Sequence, residues 1–198
     1  MIRIKAEPGG GGYSWSQSLA RFVSVWLHKM TNDVLQRLRD DHRRCERLFC
    51  AIEEECSRLE SGTPADMPRL KAIADYLGKC CFPRHHALED AIFTELVKRL
   101  PNFRADIFDL SEDHHASKQE FINFMFAVAH EDDDLAETAR SFVANERGHF
   151  ISEEELVFRY AEKYLTPEQW ATLRQSLHIV ESEECRSRAL EQSADLFA

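Results

Sequence analysis

Glycine and proline are scarce in this chain, 7 and 6 of 198 residues, which disfavours a turn-rich β architecture and favours long helices. No apolar run reaches the roughly 18 residues that a membrane-spanning helix needs. The nearest, SLARFVSVWL at 18–27, is too short and lacks the small-residue cleavage site of a signal peptide. No membrane partner is therefore expected, and the expected location is cytoplasmic. Positive charge is also in deficit: Lys+Arg is 25 against Asp+Glu 35, a net of −10. An acidic surface of this kind argues against nucleic acid and against anionic membranes as partners. Six cysteines are present, yet no C-x-x-C pair, so the spacing that signals zinc or thioredoxin-like chemistry is missing. Cys45, Cys50 and Cys56 fall in one expected helix and read as small core or face residues, reduced in a cytosolic setting. No nucleophile elbow occurs, so Ser/His/Asp hydrolysis has no support.

What is present suits one generous domain with a core: 43% hydrophobic and 30% charged residues. Residues 1–30 stand apart. EPGGGGY is a flexible break, followed by a short helical stripe of Trp15, Leu19, Phe22 and Trp26. This segment reads as an N-terminal arm, with Met30 an alternative start because the helix-start signal TND follows at 31–33. A first helix to about residue 60 carries Leu35, Leu38, His42, Cys45, Phe49, Ile52, Cys56 and Leu59 at alternating steps of three and four. A second, about 66–99, carries Leu70, Ile73, Leu77, Cys81, His85, Ile92 and Leu96, with Pro83 expected to kink or unwind it. A third, about 103–129, carries Ile107, Leu110, His114, Phe121, Phe124 and Val128. After EDDD (131–134), a fourth runs to about 164 through Phe142, His149, Glu153, Leu156 and Tyr160. Thr166 and Pro167 then open a further helix, to about 190. The expectation is an all-α fold: an up-down-up-down four-helix bundle over 31–164, with an N-terminal arm and an additional C-terminal helix and tail over 165–198.

The chemistry lies in His-x-x-x-Glu. Residues four apart sit one turn apart on one helix face, so an imidazole and a carboxylate so placed can reach one shared ion. The motif occurs at His42/Glu46, His85/Glu89 and His149/Glu153, and by itself it is weak. Position gives it weight. His42, His85, His114 and His149 each fall on the apolar seam of a different helix, where antiparallel helices can bring them to similar depth. Four core imidazoles beside Glu89 and Glu153 would be costly without compensation, and a pair of metal ions supplies it. Nitrogen and oxygen donors without thiolate suit iron, manganese or zinc. Glu46 reads as a solvated flank, Asp90 and Glu154 as outer or exposed acids, and His28, His130 and His178 as surface.

The segments DHRRCERLF (41–49), HHALEDAIF (85–93), EDHHASKQEF (112–121) and GHFISEEELVF (148–158) resemble the four helices of bacterial hemerythrin-like domains, the HHE cation-binding family. The resemblance spans about 31–164. It implies a non-haem centre of two iron ions, oxo- or hydroxo-bridged, with His42, His85, His114 and His149 as terminal ligands and Glu89 and Glu153 bridging. His114 is preferred to His115 because Asp41, His42 and Phe49 are repeated as Asp113, His114 and Phe121. One departure stands out. Oxygen carriers of this family have a second histidine one turn after the third-helix ligand, where this chain has Lys118 or Gln119. His86 is a candidate seventh ligand.

The implied function is binding of dioxygen or nitric oxide for sensing, storage or delivery. The alternative is redox or stress chemistry, either iron–sulfur repair or peroxide turnover. Whether the protein is an enzyme and whether it forms a homodimer are both open at this stage. A third alternative makes the C-terminal helix a partner surface of a regulatory bundle.

Overall fold

The computed structural model describes residues 14–100 and 104–180, all helix or short connections, with no strand among them. Helix α1 spans Ser14–Glu60. It runs without interruption through residues 30 and 31, where the sequence reading placed the end of an arm and a new start. The reason is simple: no glycine or proline occurs between 14 and 60, and Thr31-Asn32-Asp33 is a weak competitor inside an otherwise unbroken helix. The break at EPGGGGY lies outside the described residues.

Gly62, at φ +77°, turns the chain after α1. The buried Glu55 carboxylate then accepts the Asp66 N–H (2.8 Å) and pairs with Arg69 (3.2 Å), closing the turn onto α2, Met67–Tyr76. Asp66 caps α2 by accepting the Arg69 N–H. A wide π-helical turn, Leu77–Cys81, joins α2 to α3, Phe82–Arg99, with the Phe82 N–H returning to the Leu77 carbonyl. Pro83 thus sits in the first turn of α3, where its missing N–H costs nothing. The local unwinding expected of Pro83 is this turn. Gly78 within it lets α4 approach: a Cβ there would lie 3.0 Å from Phe121 Cε1.

Helix α4 spans Arg104–His130 and α5 Leu135–Ser152. A second π-helical turn, Glu153–Val157, leads directly into α6, Phe158–Tyr164. Helix α7, Pro167–Val180, starts with a capping box: the Gln169 side chain accepts the Thr166 N–H (3.0 Å), while Thr166 Oγ1 accepts the Gln169 N–H (3.4 Å). The remainder of the expected C-terminal helix lies outside the described residues. Helix α5 packs on α1 and α4, α2 on α4, α3 on α4 and α6, and α7 on α1 and α3.

The apolar interior falls into two clusters. One gathers Phe49, Ile52, Leu70, Leu77, Phe124 and Phe142; the other gathers Leu35, Leu38, Ile92, Leu96, Val157 and Phe158. Trp170 and Leu173 of α7 belong to the second and are 1% exposed. This helix is core, which counts against reading it as a spare partner surface. Substituting Leu173→Ala is expected to lower unfolding stability by about 2–5 kcal/mol. The exposed neighbour Gln175→Ala is expected to stay within about 0.5 kcal/mol in chemical denaturation.

Candidate metal centre

Between the two apolar clusters lies a polar layer. His42 comes from α1, His85 and Glu89 from α3, His114 from α4, His149 from α5, and Glu153 from the first residue of the second π-helical turn. Glu89 and Glu153 are fully buried, and His42, His85 and His149 are buried with them. Ligand atoms of His42, His85, Glu89 and Glu153 lie within 4.8 Å of one another, and so do those of Glu89, His114, His149 and Glu153. All six residues singled out in the sequence are brought together.

The two groups share both carboxylates, one oxygen each way. Glu89 Oε1 lies 2.7 Å from His85 Nε2, while its Oε2 lies 3.4 Å from His114 Nε2. Glu153 Oε2 lies 3.4 Å from His42 Nε2, while its Oε1 lies 3.0 Å from His149 Nε2 and 3.3 Å from His114 Nε2. His42 Nε2 and His85 Nε2 are 3.1 Å apart. The spacing of four within His85/Glu89 and His149/Glu153 puts each pair on one helix face, as expected.

Charge in this layer is strongly coupled. Burial disfavours the imidazolium of His42, yet Glu153, Glu89 and Glu154 raise its pKa to about 10. His85 is raised to about 9 by Glu89 and Glu153 against the same burial. His114 is pushed up to about 12 by Asp90, Glu153 and Glu89. Burial would raise Glu89, but His85, His114 and His42 hold it well below the usual carboxylate range. Glu153 is raised by burial and Glu89 and lowered further by His114, His149 and His42. Even so, both Glu89 oxygens, Glu153 Oε2 and His149 Nε2 are buried with no hydrogen bond. Orphaned acceptors in a dry interior are what a cation satisfies, so the donor set fits a metal site.

The surroundings sort the remaining candidates. Glu154 Oε1 bonds His42 Nδ1 at 2.8 Å and orients that ring. Asp90, exposed, lies 3.6 Å from His114 Nδ1. Glu46 pairs with Arg147 on the bundle surface (2.7 Å), a flank role as expected. His86 lies outside both groups, its ring flat on Phe82 (centroids 5.4 Å, 3°), with burial lowering its pKa to about 4. Because α3 is regular from Phe82 onward, His86 stays rotated about 100° from His85. It lines a cavity of about 620 Å³ together with Gly78, Phe82, Asp90, Ser117 and Phe121. His130 is exposed and stacks on Phe126. The side chains of His28, His115 and His178 lie outside the described residues.

Two residues were missed. Ser117 is 1% exposed and Glu146 0%, and the serine hydroxyl donates to Glu146 Oε1. Burial raises the Glu146 pKa. The signal was available: Ser117 is three residues after His114 and Glu146 three before His149, both on seam spacing. The inward position one turn beyond His114 therefore belongs to Ser117, while Lys118 and Gln119 face solvent.

Comparison with known proteins agrees with this geometry. Residues 33–123 match the family model described as Hemerythrin HHE cation binding domain. No curated protein and no solved structure gives a match. No helix among the described residues is long and apolar enough to cross a membrane. Removing the carboxylate that orients His42, by Glu154→Ala, is expected to weaken cation affinity roughly 10–100-fold by titration calorimetry. Asp90→Ala is expected to weaken it less.

Proposed function

We propose, for a chain whose residues 33–123 match the hemerythrin HHE cation-binding family model, that it holds two non-haem iron ions within an up-down-up-down bundle and binds dioxygen or nitric oxide there. The observation that carries this reading is the doubling of the donor set: two overlapping groups of four, joined by both glutamates. His42 and His85 would hold one ion, His114 and His149 the other, and Glu89 and Glu153 would bridge. Iron, when bound, supplies redox activity and affinity for diatomic gases. Manganese or zinc suits the same donors; iron is preferred because of the family resemblance.

The chain's own residues do the rest. Phe150 stacks on His42 (centroids 4.1 Å), and Phe93 lies against His114 (5.4 Å), so apolar rings shield the layer. Glu154 holds the proton on His42 Nδ1 and leaves Nε2 free to ligate. The cavity walled by His86, Asp90 and Ser117 offers a small molecule an approach from the α2–α4 side. The alternative, turnover of peroxide or repair of iron–sulfur centres, is favoured by Ser117 standing where a further imidazole would close the site. Steady-state assays with peroxide or nitric oxide separate catalytic turnover from stoichiometric binding.

Reconstitution with iron is expected to give two ions per chain by elemental analysis, with near-ultraviolet charge-transfer absorption. Both are expected to be lost in Glu89→Ala and in His149→Ala; stoichiometry retained in both variants overturns the assignment. Proton competition gives a second test. Metal binds neutral imidazole, and the carboxylates hold His42 and His85 protonated up to about pH 10 and 9. Metal uptake at pH 7.5 is therefore expected to release protons. Affinity should keep rising from about pH 6 to about pH 9, instead of levelling off above the ordinary histidine pKa of about 6.5.

A further inference from the structure

Outside the candidate centre, two buried cysteines stand close together among the described residues. Cys45 of α1 and Cys81 of the first π-helical turn stand with their Sγ atoms 3.2 Å apart, both buried. They are 36 positions apart in sequence, and no C-x-x-C motif announces them. Their place is specific: Cys45 is one turn beyond His42, and Cys81 one turn before His85. The pair therefore ties together the same two segments whose imidazoles meet at 3.1 Å.

We propose that Cys45 and Cys81 form an oxidisable dithiol that closes to a disulfide in the presence of hydrogen peroxide, cross-linking α1 to the turn that precedes α3. The proposal does not depend on which ion, if any, the neighbouring centre holds. A disulfide needs its sulfurs at about 2.05 Å, so the pair must close by roughly 1 Å, within reach of χ1 rotation and adjustment of the wide turn. The chemistry balances with peroxide as the oxidant. The Cys81 sulfur forms an S–O bond as the O–O bond breaks, and the departing hydroxide takes up the thiol proton as water. The Cys45 sulfur then attacks Cys81, the S–S bond forms, the S–O bond breaks, and its hydroxyl leaves with the Cys45 proton as a second water. Two thiols are oxidised by two electrons and one peroxide is reduced. Either sulfur can donate in the contact between them, and Cys81 is written as the attacking one. Arg84 lies nearby and favours the thiolate.

The test is peptide mapping of the full chain, treated with hydrogen peroxide in a chelating buffer that keeps iron chemistry out. Exposed Cys50 serves as the internal measure of reagent dose. The expected product is a Cys45–Cys81 cross-linked peptide, lighter by two hydrogens and reversed by dithiothreitol. In Cys45→Ser, Cys81 is expected to stop at the sulfenic acid, with trapping by dimedone at least about tenfold above wild type. If Cys45 and Cys81 stay reduced in the wild-type chain once Cys50 is fully oxidised, the proposal fails. It fails equally if Cys81 proceeds to sulfinic acid without a cross-link. The wild-type map decides the matter even if the variant does not fold.

Discussion

Two glutamates without solvent exposure, Glu89 and Glu153, set the terms for the rest of this bundle. An unpaired carboxylate in a dry interior costs several kcal/mol or more, so the fold must bring compensating groups to it from every side. The nearest donors are four imidazoles on four helical segments, and each carboxylate reaches partners on more than one of them. Sliding any helix by one turn would strand a charge. Apolar packing alone tolerates small shifts, as does any seam of similar residues, whereas this layer fixes the register of helices whose clusters lie on either side. The two clusters are separate because the polar layer passes between them.

A layer of charge needs support at the next distance out. Asp41, 2% exposed, pairs with Arg84 at 2.7 Å, joining the residue before His42 to the residue before His85. Ser117 and Glu146 do the same for α4 and α5 in the opposite half. These contacts pair the further polar groups buried beside an already costly site. Each pair joins two helices, while Glu146 Oε2 and Arg84 Nε stay buried without a hydrogen bond, as the glutamate oxygens of the layer do.

How much of this could be read from the residues depends on which relations lie within one helix. Steps of three and four along each helix identified His42, His85, His114 and His149 as inward-facing, and the spacing of four tied Glu89 and Glu153 to their histidines. The end of α2–α3 near 99 and that of α6 near 164 also followed from local signals. What was not legible involves two helices at once, because relative register leaves no trace in a single segment. Cys45 meeting Cys81, Ser117 meeting Glu146, and Glu154 reaching back to His42 are all of this kind. The helix start expected at residues 31–33 is absent for a different reason: a start signal was given weight where nothing stopped the helix already under way. His86 was a doublet neighbour of a ligand candidate, and regular helical rotation kept it apart.

The family match ends at residue 123, before His149 and Glu153, yet the geometry shows why the matched half cannot make a site alone. Glu153, beyond the matched residues, touches His42 and His114 within them. Neither donor group of four is complete without Glu153. The exchange extends one residue further. The residue after each bridging candidate faces the Nδ1 of a histidine that stands alone on its own helix: Glu154 faces His42, and Asp90 faces His114. Glutamate reaches to 2.8 Å; aspartate, shorter by one methylene, stops at 3.6 Å. The two positions are thus built on one plan and held with unequal firmness. The looser one, around His114, is also the one beside His86, 5.0 Å away between ring centroids, on the wall of the cavity. The cavity thus lies on the side of the more weakly tethered position, one ring removed from His114.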